Sequence, residues 1–300
     1  MENRTAKTSE SDKNLKERLE TNAVRFGEQD CRICNGLGHI FDPFGGGKDR
    51  GAFVLCDCMK QKAKSNDFPY LYYDDSTNTM LPCPARDARL AIEKIHRLQR
   101  DSGIPDRYKW KFISSIDIYS EGSGSGQKNP SLLIALDIAI DTINLFGTGN
   151  MQGMYLHGPT GSGKTLLSCF VLNELIRLYL VPVRYAKISR DVLGKLRASF
   201  NPNSEIYGEG RKIEEELANV QALVIDDFGV HKETEWVNSV LYDLIDARYE
   251  NNLLTIITSN EPMEALKEIS NKRIYSRLRE MCSEIHMDMP DYRMRKTRQY

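Results

Sequence analysis

The segment GPTGSGKT, Gly158 to Thr165, lies between the apolar run MYLH and the helical run LLSCFVLNELIRL. It matches G-x-x-x-x-G-K-[ST] in the context that motif needs, a strand before it and a helix after it. Glycines let backbone N–H groups turn inward onto phosphate, and the helix N-terminus adds a favourable dipole. A lysine at Lys164 reaches β and γ phosphates, and the Thr165 hydroxyl ligates magnesium. These roles suit ATP or GTP. The expected nucleotide cradle is Gly158, Pro159, Thr160, Gly161, Ser162, Gly163, Lys164, Thr165 and Leu166.

A second acidic element follows in ALVIDDFG. Ala222–Ile225 reads as a buried strand, with Asp226 and Asp227 emerging at its C-terminal end, the edge where ligands sit in parallel sheets. Asp226 is placed to hold the magnesium shell with Thr165, and Asp227 to polarise the attacking water. Paired acids capping the next turn are the plainer alternative. At the tip of LLTIITSN, Asn260 either orients the lytic water or is a turn residue before Pro262. In KRIYSRLRE, Arg277 is a candidate finger acting on a neighbouring subunit's ATP, with Arg273 and Arg279 as rivals. A solvated helix face accounts for the same three arginines equally well.

Four of the seven cysteines form two close pairs, Cys31 with Cys34 and Cys56 with Cys58. Four thiolates suit tetrahedral zinc in a structural role, with free or redox cysteines as the alternative and His39 as a substitute for one thiolate. The surrounding segment is Gly-rich and short of large apolar residues. Such a segment usually needs a staple, and a bound metal contributes folding free energy directly.

These motifs need elements to hold them. Residues 1–28 are polar and charged and read as a flexible N-terminus; 29–62 form the zinc-binding module; 63–101 read as a connector containing a helix over 85–100. An SGSG run near Ser123 reads as an exposed loop. From Ser131 onward helices alternate with short apolar strands, which implies an α/β fold with a parallel sheet between helices. A basic stretch from Arg184 to Arg197 could line a DNA path through Lys187, Arg190, Lys195 and Arg197, although a solvated face is the simpler reading of each.

The chain is 300 residues long, enough for one substantial core and a small module. Lysine plus arginine total 41 against 42 aspartate plus glutamate, so no global charge signature points to nucleic acid or a membrane surface. No run approaches the roughly 20 apolar residues needed to cross a bilayer, and the N-terminus lacks the apolar core of a signal peptide. A soluble, cytoplasmic protein without a membrane partner is expected.

Together, SGIPDRY (Ser102 to Tyr108), GPTGSGKT, ALVIDDFG, TIITSN and the YSRL box resemble the AAA+ ATPases of the bacterial and phage helicase-loader group, DnaC and DnaI, over about residues 102–295. The CxxCxGxG and CxC pattern nearer the N-terminus is similar to loaders of this type. The resemblance implies a P-loop AAA+ ATPase domain over 102–300, with Ile104 and Tyr108 beside the adenine. It makes Asp226 and Asp227 the metal and water acids, Asn260 a sensor, Arg277 the finger and Arg293 a possible second sensor. It also implies that the zinc module grips a replicative DNA helicase, and that the cores form a homo-oligomer binding single-stranded DNA. Two other readings remain at this stage: an IstB-like transposition helper ATPase, which generally lacks the cysteine module, and a chaperone-like adaptor suggested by the single CxxCxGxG half-motif.

Overall fold

The structure is a computed structural model, described here for residues 19, 23–45, 51–63, 70–113, 130–229, 234–269 and 272–289. The expected flexible stretch before residue 19, the SGSG run and Arg293 lie outside the described residues. Two compact units are present. One holds the described residues of Glu20–Asp101 together with Glu174–Val181, and the other those of Ser102–Asn173 and Pro182–Tyr300.

The larger unit is built on five parallel strands: β5 (Gly153–His157), β6 (Val183–Lys187), β7 (Ala222–Phe228), β8 (Leu254–Ser259) and β9 (Cys282–His286), in the order β6-β7-β8-β5-β9. The central strands are continuous aliphatic runs because helices cover both faces of such a sheet. Every residue of β8 is buried, as are the first five of β7. A parallel sheet between helices is the architecture read from the sequence, and the structure gives it five strands. The edge strand β9 was not expected. CSEIH carries three polar residues among five, and only its pairing with β5 makes it a strand.

One local departure matters for the site. The β7 strand does not stop at Ile225; it runs on to Phe228, with a register shift against β8 between Ile225 and Phe228. Asp227 sits at that irregularity with φ +61°. A left-handed residue inside a strand is the signature of a bulge, which re-aims a side chain. The two adjacent acids therefore do not simply alternate across the sheet.

Helices α3 (Pro130–Asn144), α4 (Lys164–Tyr179), α5 (Lys195–Ser199), α6 (Gly210–Asn219), α7 (Glu235–Glu250), α8 (Leu266–Ile269) and α9 (Lys272–Met281) complete the larger unit, apart from the last turns of α4. A seven-residue π-helical stretch, Ile188–Gly194, joins β6 to α5. The fully buried Arg248 of α7 donates to the carbonyls of Leu217, Val220 and Leu254 and to the Thr255 hydroxyl. It thereby fastens the end of α6 to β8. Burial lowers its pKa to about 9, which leaves the guanidinium charged near neutrality.

The smaller unit holds the hairpin β1 (His39–Asp42) and β2 (Ala52–Leu55), the short helix α1 (Asp57–Lys60), a second hairpin of β3 (Leu71–Asp74) and β4 (Thr79–Pro82), and helix α2 (Arg86–Asp101). The second hairpin falls in the stretch read from the sequence as a connector. Its turn is organised by the Asp74 carboxylate, which accepts from the hydroxyls of Ser76 and Thr77. Its small core is Met59, Cys83, Ala85 and Ala88.

Candidate nucleotide site and cysteine cluster

The loop after β5 requires glycine where the sequence has it. Gly158 has φ +140°, and a Cβ there would lie 2.5 Å from the Met287 carbonyl oxygen just beyond β9. Gly161 and Gly163 also have positive φ, at 84° and 93°. Backbones that turn this way present successive N–H groups to an anion, the geometry that phosphate loops use. Lys164 opens α4, is 8% exposed, and its Nζ donates to the carbonyls of Gly158 and Pro159 at 2.7 and 2.8 Å. The cation is therefore held inside the curl of the loop.

At the same edge of the sheet, the Thr165 hydroxyl donates to Asp226 Oδ1 at 3.0 Å. That oxygen also accepts from the Thr258 hydroxyl at 2.7 Å, while Oδ2 accepts from the Tyr185 phenol at 2.5 Å. Thr258 Oγ1 in turn accepts from the Asp227 N–H at 3.1 Å, so one hydroxyl clasps both sides of the bulge. The Asp227 carboxylate faces Lys187 Nζ at 2.9 Å, and that ion pair raises the lysine's pKa. A hydroxyl and a buried carboxylate 3.0 Å apart beside a glycine-rich anion loop form a donor set that fits Mg2+, a hard cation that takes few protein oxygens and shares phosphates. The structure thus brings together Lys164, Thr165, Asp226 and Asp227.

Other expected positions lie differently. Asn260 is exposed just past β8, and it is Thr258 on that strand that reaches Asp226. Ile104 is buried, and its segment is held by Asn173 Nδ2, which donates to the carbonyls of Tyr108 and Lys111. Arg277 donates to Asp246 at 2.7 Å and stacks over Tyr249 at 4.4 Å, against α7 of its own chain. Arg273 lies over Tyr242, and Arg279 is exposed. Of the basic residues weighed between a DNA path and a solvated face, Lys187 faces the acid pair, Arg190 is paired with Asp191, and Arg197 lies over Trp236.

Sequence reasoning missed Tyr185, Thr258 and the pairing of Lys187 with the acids. A usable signal existed for the first and last. Tyr185 and Lys187 are on the strand paired with β7, in register with Val224 and Asp226, so a polar residue there has to meet the acids.

In the smaller unit, the sulfurs of Cys31, Cys34, Cys56 and Cys58 all lie within 4.8 Å of one another. The Cys31–Cys56 and Cys34–Cys58 separations are both 3.7 Å. Zinc–thiolate bonds of about 2.3 Å in a tetrahedron place sulfurs roughly 3.8 Å apart, so the four side chains fit zinc, and all four thiols are free. Backbone N–H groups of Cys34 and Ile33 lower the Cys31 pKa to about 7, whereas burial raises that of Cys56 to about 12. A divalent cation offsets that burial cost. His39 is not a fifth candidate. Its buried ring packs edge-on against Phe53 at 5.4 Å, outside the group of four sulfurs.

Residues 140–299 match the model of a protein family described as IstB-like ATP binding protein. The chain belongs to that family. The chain is also 28% identical over 131 residues to the replicative helicase loader DnaC of Escherichia coli strain K12, covering 44% of this chain and 51% of the relative. The chain therefore spans about half the length of the curated relatives it matches. By structure, this family member is similar to a crystal structure of DnaI (TM-score 0.52, 23% identity, 65% of this chain and 98% of the other) and to one of the DnaC helicase loader (TM-score 0.52, 20% identity, 61% and 100%). The AAA+ fold and the DnaC/DnaI resemblance read from the motifs stand. Among the described residues, no helix is long and apolar enough to cross a membrane.

Proposed function

We propose that this protein is an ATP-hydrolysing loader of a replicative DNA helicase, with a phosphate-loop site at Gly158–Leu166 and Mg2+ held through Thr165 and Asp226. The observation that carries the reading is the contact of Thr165 with Asp226 behind the glycine loop, found in a chain whose named curated relatives include DnaC helicase loaders. In this reading Lys164 contacts the β and γ phosphates, Asp227 polarises the attacking water, Asn260 acts as sensor, and Arg277 serves a neighbouring subunit. Ile104 and Tyr108 flank the adenine. ATP binding assembles the protein as a homo-oligomer around single-stranded DNA, and slow, partner-stimulated hydrolysis releases it. The cysteine module, over 29–62, holds zinc and grips the helicase; 63–101 link it to an ATPase domain over 102–300.

The transposition-helper reading ranks lower, because the DnaC relatives are named as helicase loaders and the four cysteines converge as a zinc site would. The discriminating experiment is a pull-down of the full chain against the replicative helicase of its host, with and without ATP, alongside Lys164→Ala and Cys56→Ser. ATP-dependent capture weakened by both substitutions supports a loader. No capture in any condition, with stable filaments on duplex DNA, would move the protein to the transposition class. Unaltered ATP affinity in Lys164→Ala would remove the nucleotide site itself.

A further inference from the structure

The carboxylate of Asp226 is 1% exposed, and among the described residues three hydroxyls from three separate elements converge on it. Two of them, from Thr165 and Thr258, share Oδ1. Tyr185 donates to Oδ2, where the nearest cation, Lys187 Nζ, is 4.0 Å away. An ionised carboxylate out of water needs such donors, and a donor held on one oxygen also fixes the rotation of the group and thus the direction of the other oxygen.

The placement of that phenol is itself constrained. Tyr185 pairs with Val224 across β6 and β7, so Asp226, two residues further along β7, is its diagonal neighbour on the same face. Its backbone N–H donates to the Ser102 carbonyl at 2.8 Å. Beside it, Gly103 has φ +72°, and any Cβ there would come within 2.7 Å of the Tyr185 carbonyl oxygen. The residue is thus locked to the segment preceding Ile104 through its backbone and to Asp226 through its side chain.

We propose that Tyr185 is a positioning residue for the magnesium site: its phenol holds Asp226 Oδ2 so that Oδ1 is presented toward Thr165, and it thereby sets the affinity of the nucleotide site for Mg2+. This rests on the nucleotide-site reading given above. Tyr185 acts through Asp226 and does not touch the metal. The ring is rigid, and a flexible hydroxyl at this position would not hold one rotation.

The test uses the full chain and a fluorescent ATP analogue, with Mg2+ titrated into the complex of wild type, Tyr185→Phe, Asp226→Asn and the double variant. Tyr185→Phe is expected to raise the Mg2+ midpoint on the order of tenfold, the usual effect of losing an outer partner of a metal ligand. Binding of the analogue without Mg2+ is expected to stay at the wild-type level. In the Asp226→Asn background the second substitution should add nothing, because its route to the metal is gone; a merely structural tyrosine would instead give an additive effect. An unmoved midpoint in Tyr185→Phe, or additivity in the double variant, overturns the proposal.

Lys164→Ala separates the two levels. If it leaves nucleotide affinity unaltered, the site reading fails and this inference falls with it; if it abolishes binding while Tyr185→Phe changes nothing, only the role of Tyr185 is lost. Should thermal melting find Tyr185→Phe unfolded, 3-fluorotyrosine at position 185 keeps the shape and alters the donor strength. A shifted Mg2+ midpoint in that folded protein supports the proposal, and an unshifted one sinks it.

Discussion

Lys187 Nζ lies 2.9 Å from Asp227 Oδ2, so the second acid of the IDD sequence is engaged by a lysine from the adjacent strand. Both side chains are more than two-fifths exposed, at 42% and 49%. Exposed pairs of this kind contribute less than about 1 kcal/mol, and Lys187→Met should therefore leave the melting temperature nearly unchanged. Its effect on turnover should be larger. The ammonium occupies the carboxylate oxygen that would polarise the attacking water, so basal ATP hydrolysis is expected to rise about threefold, on the order of 0.7 kcal/mol in the barrier. Steady-state phosphate release at saturating ATP checks this; a fall in rate would mean that the lysine assists the reaction.

How far the sequence led is clear from these residues. Gly158, Lys164, Thr165 and Asp226 were legible because a phosphate loop and a strand-end acid need fixed residue types at fixed spacing, and the structure brings them to one sheet edge. Lys187 was not, because a lysine in a basic stretch has the same local pattern whether it is solvated or paired; only the Lys187–Asp226 register across β6 and β7 distinguishes the cases. The β3–β4 hairpin was likewise hidden, since two four-residue strands carry too short an alternation to rise above an aromatic connector. Strand β9 depends on pairing with β5, a contact more than a hundred residues away in sequence.

The cysteine geometry predicts one zinc per chain. Elemental analysis of protein purified without added metal should find zinc near a 1:1 ratio, and Cys56→Ser should remove most of it. Structural zinc supplies a large part of the folding free energy of such modules, so chelation should expose the smaller unit to protease before the larger one. Full zinc retention in Cys56→Ser would mean that the four sulfurs are not its ligands.

His39 predicts a specific acid sensitivity. Its pKa is lowered to about 4, first by burial and then by the nearby Arg177 charge. The unfolded chain takes up this proton first as pH falls through about 6.5, so the stability from keeping the ring neutral is complete above that pH. It is lost progressively between about 6.5 and 4. At pH 5 the loss is on the order of 2 kcal/mol. Urea unfolding of wild type and His39→Leu at pH 7.5 and 5 measures it: the variant should lose less stability over that range, and parallel losses would count against His39 as the cause.

Arg277 makes a test that depends on subunit arrangement. It is bonded to Asp246 and stacked on Tyr249 within its own chain, which holds the guanidinium against α7 rather than letting it sweep solvent. A finger acting on the neighbouring subunit's nucleotide requires the arginine of one chain and the phosphate loop of another. Arg277→Ala and Lys164→Ala should each be inactive alone, the first lacking a finger and the second lacking a working site. Mixed in equal amounts, the Lys164→Ala subunits supply arginines to intact sites on the Arg277→Ala subunits, and hydrolysis should return to a substantial fraction of wild type. If the mixture stays inactive while the two variants still co-assemble, Arg277 acts within its own chain, and its contacts with Asp246 and Tyr249 are its function.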